Sequence, residues 1–168
     1  MTNTKKHFLT SAIGVIALAF SFAAQAENDL EGGWIVSSWE NLGDESVAEP
    51  QSGIFVFTST NYAIMFVNTK EVRPEYDADA GMTDAEKMAS YDSLTANAGG
   101  YEIDGNTFTT FAYVAKDNNY MAGFPENGTE YEFERDGEML TITSKTFPQG
   151  FTVILERVEG EDGPWETE

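Results

Sequence analysis

Few residues in this chain can do chemistry. There is no cysteine, and the single histidine, His7, stands near the start. Disulfides, thiol nucleophiles and thiolate metal sites are therefore excluded. The first 26 residues read as a removable leader, so the remaining chain has no imidazole. That excludes Ser-His-Asp and Cys-His catalysis and His-ligated metals. Acid–base work would fall to carboxylates, phenols, lysines and arginines. The best-placed carboxylate is Glu40, which shares strand parity with Trp34, Val36 and Ser38. That parity points it inward, and a carboxylate in an apolar cavity has a raised pKa and serves as acid or base. With Tyr101 and Arg73 it would form a cofactor-free site for proton transfer, cyclisation or decarboxylation. The plainer reading of Glu40 is a solvated strand end. No cofactor is expected on either reading.

Asp77, Asp79, Asp84 and Glu86 are spaced like a fragment of a calcium loop. The fragment lacks a third acid before Gly81 and a bidentate Glu at the required distance. Acids ahead of a helix also complement its N-terminal dipole, so no metal is assigned. Arg73, just before Pro74, suits a bidentate grip on a ligand carboxylate. The competing reading is a rim ion pair with Glu71, Glu75 or Asp77, and Lys70 shares it. Arg135 is the other scarce cation of the middle of the chain. Asn127-Gly128-Thr129 matches a glycosylation sequon and reads as a surface turn.

Aromatic residues form the second constellation. If Ser59-Thr60 is a two-residue turn, Phe55, Phe57, Tyr62, Ile64 and Phe66 share one face, and Tyr101, Tyr131 and Phe133 join them. Such a lining suits a small amphipathic or aromatic ligand. The same residues would equally fill a barrel core. Tyr91, on a predicted helix, either gates the mouth or packs with Met88 on the sheet. The ligand-binding candidates are thus Phe55, Phe57, Tyr62, Phe66, Arg73, Tyr91, Tyr101, Tyr131 and Phe133.

The elements that must position these residues are short strands separated by turn signals. Strands are predicted over 34–41, 53–58, 62–68, 101–103, 107–116, 129–135, 139–145 and 151–158. Asp136-Gly137 is a strong hairpin signal. As a two-residue turn it sets Phe133 opposite Leu140 and Tyr131 opposite Ile142, with Glu130, Glu132 and Glu134 on the other face. In the last strand Phe151, Val153, Leu155 and Arg157 share a face. The 53–68 pair is apolar on both faces, so its outside is either covered or exposed as a patch. Thr83-Asp84-Ala85-Glu86 is a capping box, and Met88, Tyr91 and Leu94-Thr95 extend the helical spacing until Gly99-Gly100 ends it. Eight antiparallel strands and one helix between the third and fourth fit a closed up-and-down barrel, which also removes exposed edges. A β-sandwich is the alternative.

Lys5-Lys6, an apolar run from Leu9 to Phe22 and Ala24-Gln25-Ala26 have the plan of a secretory signal peptide. The run is short for a membrane span, so no stable membrane anchor is expected. Residues 27–158 form one domain, and 159–168 an acidic flexible tail. Removing 1–26 takes away two lysines and no acids, moving the formal net charge from −20 to −22. So acidic a chain repels nucleic acid and anionic membranes. The expected location is outside the cytoplasm, in the periplasm or beyond.

Gly32-Gly33-Trp34 reads as G-x-W at the start of the first strand. It resembles the lipocalin and wider calycin signature, in which the Trp plugs the closed end of the barrel. The resemblance implies structural roles for Gly32, Trp34 and Arg157, the last packing over the indole from the final strand, a favourable cation–π contact. The ordered set from Gly53 through Asn61-Tyr62-Ala63-Ile64-Met65, Arg73-Pro74, Thr83–Glu86 and Gly100–Asp104 resembles the bacterial lipocalin-like domain family, over roughly residues 30–158. This resemblance implies a barrel with an internal cavity for a small apolar or amphipathic ligand. A cofactor-free enzyme and a filled-barrel envelope or interaction module remain the alternatives, because fold does not choose among functions.

Overall fold

Nine strands among the described residues form one antiparallel sheet that closes on itself. The computed structural model describes residues 28–42, 45–48, 50–73, 75–77, 79–121, 128–144 and 150–158. The expected leader (1–26), acidic tail (159–168), Pro74, Asn127 and Lys145 lie outside them. The strands are β1 (Gly32–Leu42), β2 (Glu45–Val47), β3 (Gly53–Phe57), β4 (Asn61–Val67), β5 (Leu94–Asp104), β6 (Thr107–Ala115), β7 (Thr129–Asp136), β8 (Met139–Ser144) and β9 (Phe151–Arg157). Each strand from β3 to β9 pairs with the next, β1 pairs with β3, and β1 closes the ring on β9 with Trp34 opposite Arg157 and Val36 opposite Leu155. This is a closed eight-stranded up-and-down barrel, not a sandwich. The three-residue β2 is an addition, laid against the far half of β1. Helix α1 (Asp84–Asp92) falls between β4 and β5, the third and fourth strands of the barrel.

The local chemistry explains these elements. Thr58 N–H donates to the Asn61 carbonyl at 2.8 Å. Phe57 then pairs with Tyr62 and Phe55 with Ile64, which turns Phe55, Phe57, Tyr62 and Phe66 into the interior, all buried. Helix α1 starts on its capping box. Thr83 N–H donates to Glu86 Oε2 at 2.6 Å, and Glu86 N–H donates to Thr83 Oγ1 at 3.3 Å. The bonds from Thr83 hold the Glu86 carboxyl below its usual range. Asp77 Oδ1 accepts from the Asp79 N–H at 2.9 Å, an Asx turn ahead of the helix.

Three details differ from the sequence expectation. The β7–β8 turn is Gly137-Glu138, not Asp136-Gly137, because Asp136 pairs with Met139. Gly137 has φ 60 and takes the first central position, where a hairpin of this kind demands glycine. Phe133 therefore faces Ile142, and Arg135 faces Leu140 in the inward row. Second, α1 stops at Asp92 with Ser93 as its C-cap, and residues from Leu94 onward form β5 rather than more helix. Leu94 to Gly100 pair along the whole of β4, and that ladder outweighs the helix propensity of the alanines. Third, a bulge lies between Val36 and Ser38 of β1. One extra residue reverses the parity beyond it, so Trp39 is buried and Glu40 is exposed. Glu40 does not point inward.

On the outside, Ile54, Val56, Ala63, Met65, Ala96, Ala98 and Val114 line an apolar groove across β3 to β6. Met65 is 53% and Val114 61% exposed, so of the two outcomes expected for the outside of the 53–68 pair, cover or an exposed patch, the patch is the one present.

Candidate functional site

The barrel has two unlike ends. At one, Trp34 is fully buried and its Nε1 donates to the Leu30 carbonyl at 2.9 Å. The Arg157 Cζ lies 5.3 Å and the Arg135 Cζ 5.6 Å from the Trp34 ring centre. Two guanidiniums on one indole give cation–π attraction of about 0.5–2 kcal/mol each. Gly32 has φ 135, and a Cβ there would sit 3.2 Å from Arg157 Nη2. The missing side chain makes room for the arginine. Above the plug, Phe108 stacks on Tyr131 at 5.1 Å and meets Phe57 and Phe133 edge-on at 5.8 and 6.0 Å. Tyr101 Oη donates to the Thr58 carbonyl at 2.5 Å and accepts from Asn28 Nδ2 at 2.6 Å. Burial pushes its phenol pKa up. This half is solid.

The other half is hollow. The cavity measures about 280 Å³, at the small end of ligand pockets, which run from about 300 Å³ upward. Its cause is residue size. Along β5 and β6 the inward positions carry Thr95, Asn97, Gly99, Thr110, Ala112 and Ala115, while β3, β4, β7 and β9 contribute Phe55, Phe66, Tyr131 and Phe151. The small side chains do not fill the space between those rings. Ile64, Ile142 and Tyr120 complete the wall, and Asn41, Asn68, Lys116 and Asp117 border the mouth.

A chain of neutral hydroxyls reaches the cavity wall at Tyr120 and Tyr131. Thr110 Oγ1 bonds Tyr120 Oη at 3.2 Å, Tyr120 bonds the Tyr131 hydroxyl, and Thr110 Oγ1 donates to the Thr129 carbonyl at 3.3 Å. The Tyr62 hydroxyl stands beside this group. Thr110 is near enough to lower its pKa slightly, yet no hydrogen bond of proper geometry forms. Asn97 Oδ1, Trp39 Nε1 and Ser144 Oγ are likewise buried without partners. Burial, reinforced by the neighbouring Tyr120 phenol, pushes the Tyr62 and Tyr131 pKa values well up. Both phenols therefore keep their protons at neutral pH.

Of the sequence candidates, Phe55, Phe66 and Tyr131 line the cavity. Phe57, Tyr101 and Phe133 belong to the solid half, and Tyr62 sits at the boundary. Arg73 is exposed outside, its Nη2 donating to the Ser90 carbonyl at 3.4 Å. Tyr91 is also exposed. Its Oη donates to the Lys116 carbonyl at 2.6 Å, while Lys116 Nζ donates to the Tyr91 carbonyl at 2.9 Å and lies 4.5 Å from its ring centre. This clasp ties α1 to the rim. Glu40, Tyr101 and Arg73 are therefore dispersed: outside β1, in the solid half and on an exterior loop. They make no joint site. Sequence reasoning missed Asn97, Thr110 and Tyr120. The one available signal for Asn97 was a lone amide among small residues, Thr95-Ala96-Asn97-Ala98-Gly99.

Fold and site together define a lipocalin-like barrel, plugged at one end by an arginine-flanked Trp and hollow at the other. Two solved structures are similar to it. One is a lipocalin-like protein from Bacteroides uniformis, 16% identical, with 77% of this chain and 98% of that one covered and a TM-score of 0.42. The other is an uncharacterized protein from Bacteroides eggerthii, 9% identical, with 76% and 99% covered and a TM-score of 0.42. No family model and no curated protein matches the sequence.

Proposed function

We propose that this is an exported binding protein that holds a small amphipathic ligand in the open half of its barrel. The observation that carries this reading is the hollow of about 280 Å³, walled by aromatics and bordered at its mouth by Asn41, Asn68, Lys116 and Asp117. Apolar walls supply affinity in such a pocket, and a few polar groups supply orientation. The leader-like residues 1–26 support export, and no helix among the described residues is long and apolar enough to cross a membrane. An enzymatic reading is weaker, because the carboxylate it relied on is outside the barrel. The outer groove over β3 to β6 supports contact with another macromolecule as a second use of the fold.

Native mass spectrometry of the protein purified from its own host, without added lipid, tests the proposal. A stoichiometric mass excess that disappears on denaturation is expected, and Ala115→Trp, which fills the hollow, should abolish it. A bare mass in both proteins, with no thermal stabilisation by host small-molecule extract, would contradict it.

A further inference from the structure

We propose that the outer face of β3 to β6 docks an amphipathic basic helix of a partner protein, its apolar side chains in the groove and its lysines or arginines on the carboxylates of Glu102, Asp104, Glu130 and Glu132. The inference narrows the second use of the fold named above and is independent of the cavity. The ladders set Val56, Ala63, Ala98 and Val114 side by side in one outward row, with Ile54, Met65 and Ala96 in the next. The alanines make the floor, and Val56, Met65 and Val114 stand over it. Of the residues lining the groove only Lys116 is charged, and its ammonium is engaged by the Tyr91 carbonyl and ring. Tyr113, 57% exposed, ends the apolar part. A Cβ on Gly100 would meet its Oη at 2.6 Å, so the bare glycine lets the phenol reach over β5. Tyrosine is a favoured interface anchor.

Acids follow on the same outer face. Glu102 and Glu130 flank Thr109, and Asp104 and Glu132 flank Thr107, in two successive outward rows. Glu102 comes four residues after Ala98 on β5, about 13 Å along a strand, or roughly two and a half turns of a helix. Charge and backbone pairing choose the occupant. A second copy would bring the same carboxylates, on a chain of net charge −20, and like charges disfavour that contact. Nucleic acid and anionic membranes are repelled for the same reason. Each of β3 to β6 is already paired on both sides, so no strand can be added, and docking of a helix in the groove is the mode left. Basic residues beyond its apolar ones complete the match.

Fluorescence anisotropy with three labelled synthetic peptides of about 18 residues, long enough to form a helix when docked, tests this at physiological ionic strength. The peptides are an amphipathic Leu/Lys helix, its Leu/Glu counterpart and a Ser/Lys peptide of equal charge. The Leu/Lys helix should bind at least about tenfold tighter than either control, because it alone offers both apolar area and positive charge. Met65→Asp with Val114→Asp should weaken it about tenfold, although simple attraction to an acidic protein would grow with two added carboxylates. Glu102→Gln with Glu130→Gln should weaken it about threefold and flatten its salt dependence. All four positions are exposed, so both pairs should fold, as thermal melting checks. Absence of binding by the Leu/Lys helix overturns the inference. So does equal binding of either control peptide, or an unchanged affinity in either paired variant. A concentration-dependent dimer, seen by sedimentation and removed by Met65→Asp, would give the groove to a second copy and overturn it too. The mass excess that tests the cavity decides that reading separately.

Discussion

The two halves of one barrel are built from the same alternating strands, yet they differ in what they do with buried polarity. In the closed half the buried polar side chains described at the plug are paired. Trp34 Nε1 meets the Leu30 carbonyl, Tyr101 meets Thr58 and Asn28, and Arg135 Nε donates to the Gly137 carbonyl at 3.0 Å. Farther from the plug, among the described residues, Asn97, Tyr62, Trp39 and Ser144 carry buried polar atoms with none, and of these Asn97 lines the cavity. Unpaired buried groups are few in native proteins.

Breaking the plug should have the largest effect. Trp34→Ala is expected to cost about 3–5 kcal/mol, as for large aromatics in cores, measured by the denaturant midpoint. Asn97→Leu, in the open half, should cost almost nothing or stabilise, because it removes an unsatisfied acceptor. Equal losses at the two sites would erase the distinction. Gly32→Ala should follow at about 1–3 kcal/mol, since it forces a positive φ on a residue with a Cβ and crowds Arg157. Arg157→Met should cost about 1 kcal/mol and shift the tryptophan fluorescence.

The pH predictions are smaller. Tyr62 and Tyr131 have folded pKa values raised above the ordinary 10. Their neutral forms are favoured by folding, so this contribution is constant below about pH 10, the unfolded value. It is lost as pH rises from there towards the folded values. Denaturation between pH 9 and 11.5 should show that fall, and Tyr62→Phe should flatten it. Glu86 works the other way. Its lowered pKa supports α1 above the ordinary carboxylate range, and that support disappears as pH falls through the folded value. Amide exchange of α1 between pH 5 and 3 should accelerate in the wild type and less in Glu86→Gln.

The sequence made the solid half more legible than the hollow one. Trp34 and Arg157 stand at opposite ends of the chain, but G-x-W and an arginine closing an apolar alternation are local signals. The inward set Phe55, Phe57, Tyr62 and Phe66 followed from period-two parity and one short turn. The bulge at Ser37-Ser38 left no such trace, and it moved Glu40 outside and Trp39 inside. The β5 residues 94–98, small after Leu94, read as helix because Leu94-Thr95 continue the spacing of Met88 and Tyr91 and no partner strand is in view. That misreading hid the hollow itself, since those same small side chains create it. Tyr120 lies in a 3₁₀ turn, Asn118–Met121, beyond the reach of strand parity, and it enters the site only through tertiary contact.

The most direct test of the two-halves account is a titration with 2-naphthol, a small amphipathic probe, followed by backbone and indole NMR shifts. The account predicts changes at Asn97, Ala115, Tyr120 and Ile142, with the Trp34 indole N–H unmoved. Changes centred on the outer face, at Val56, Met65 and Val114, or at the plug itself, would contradict it.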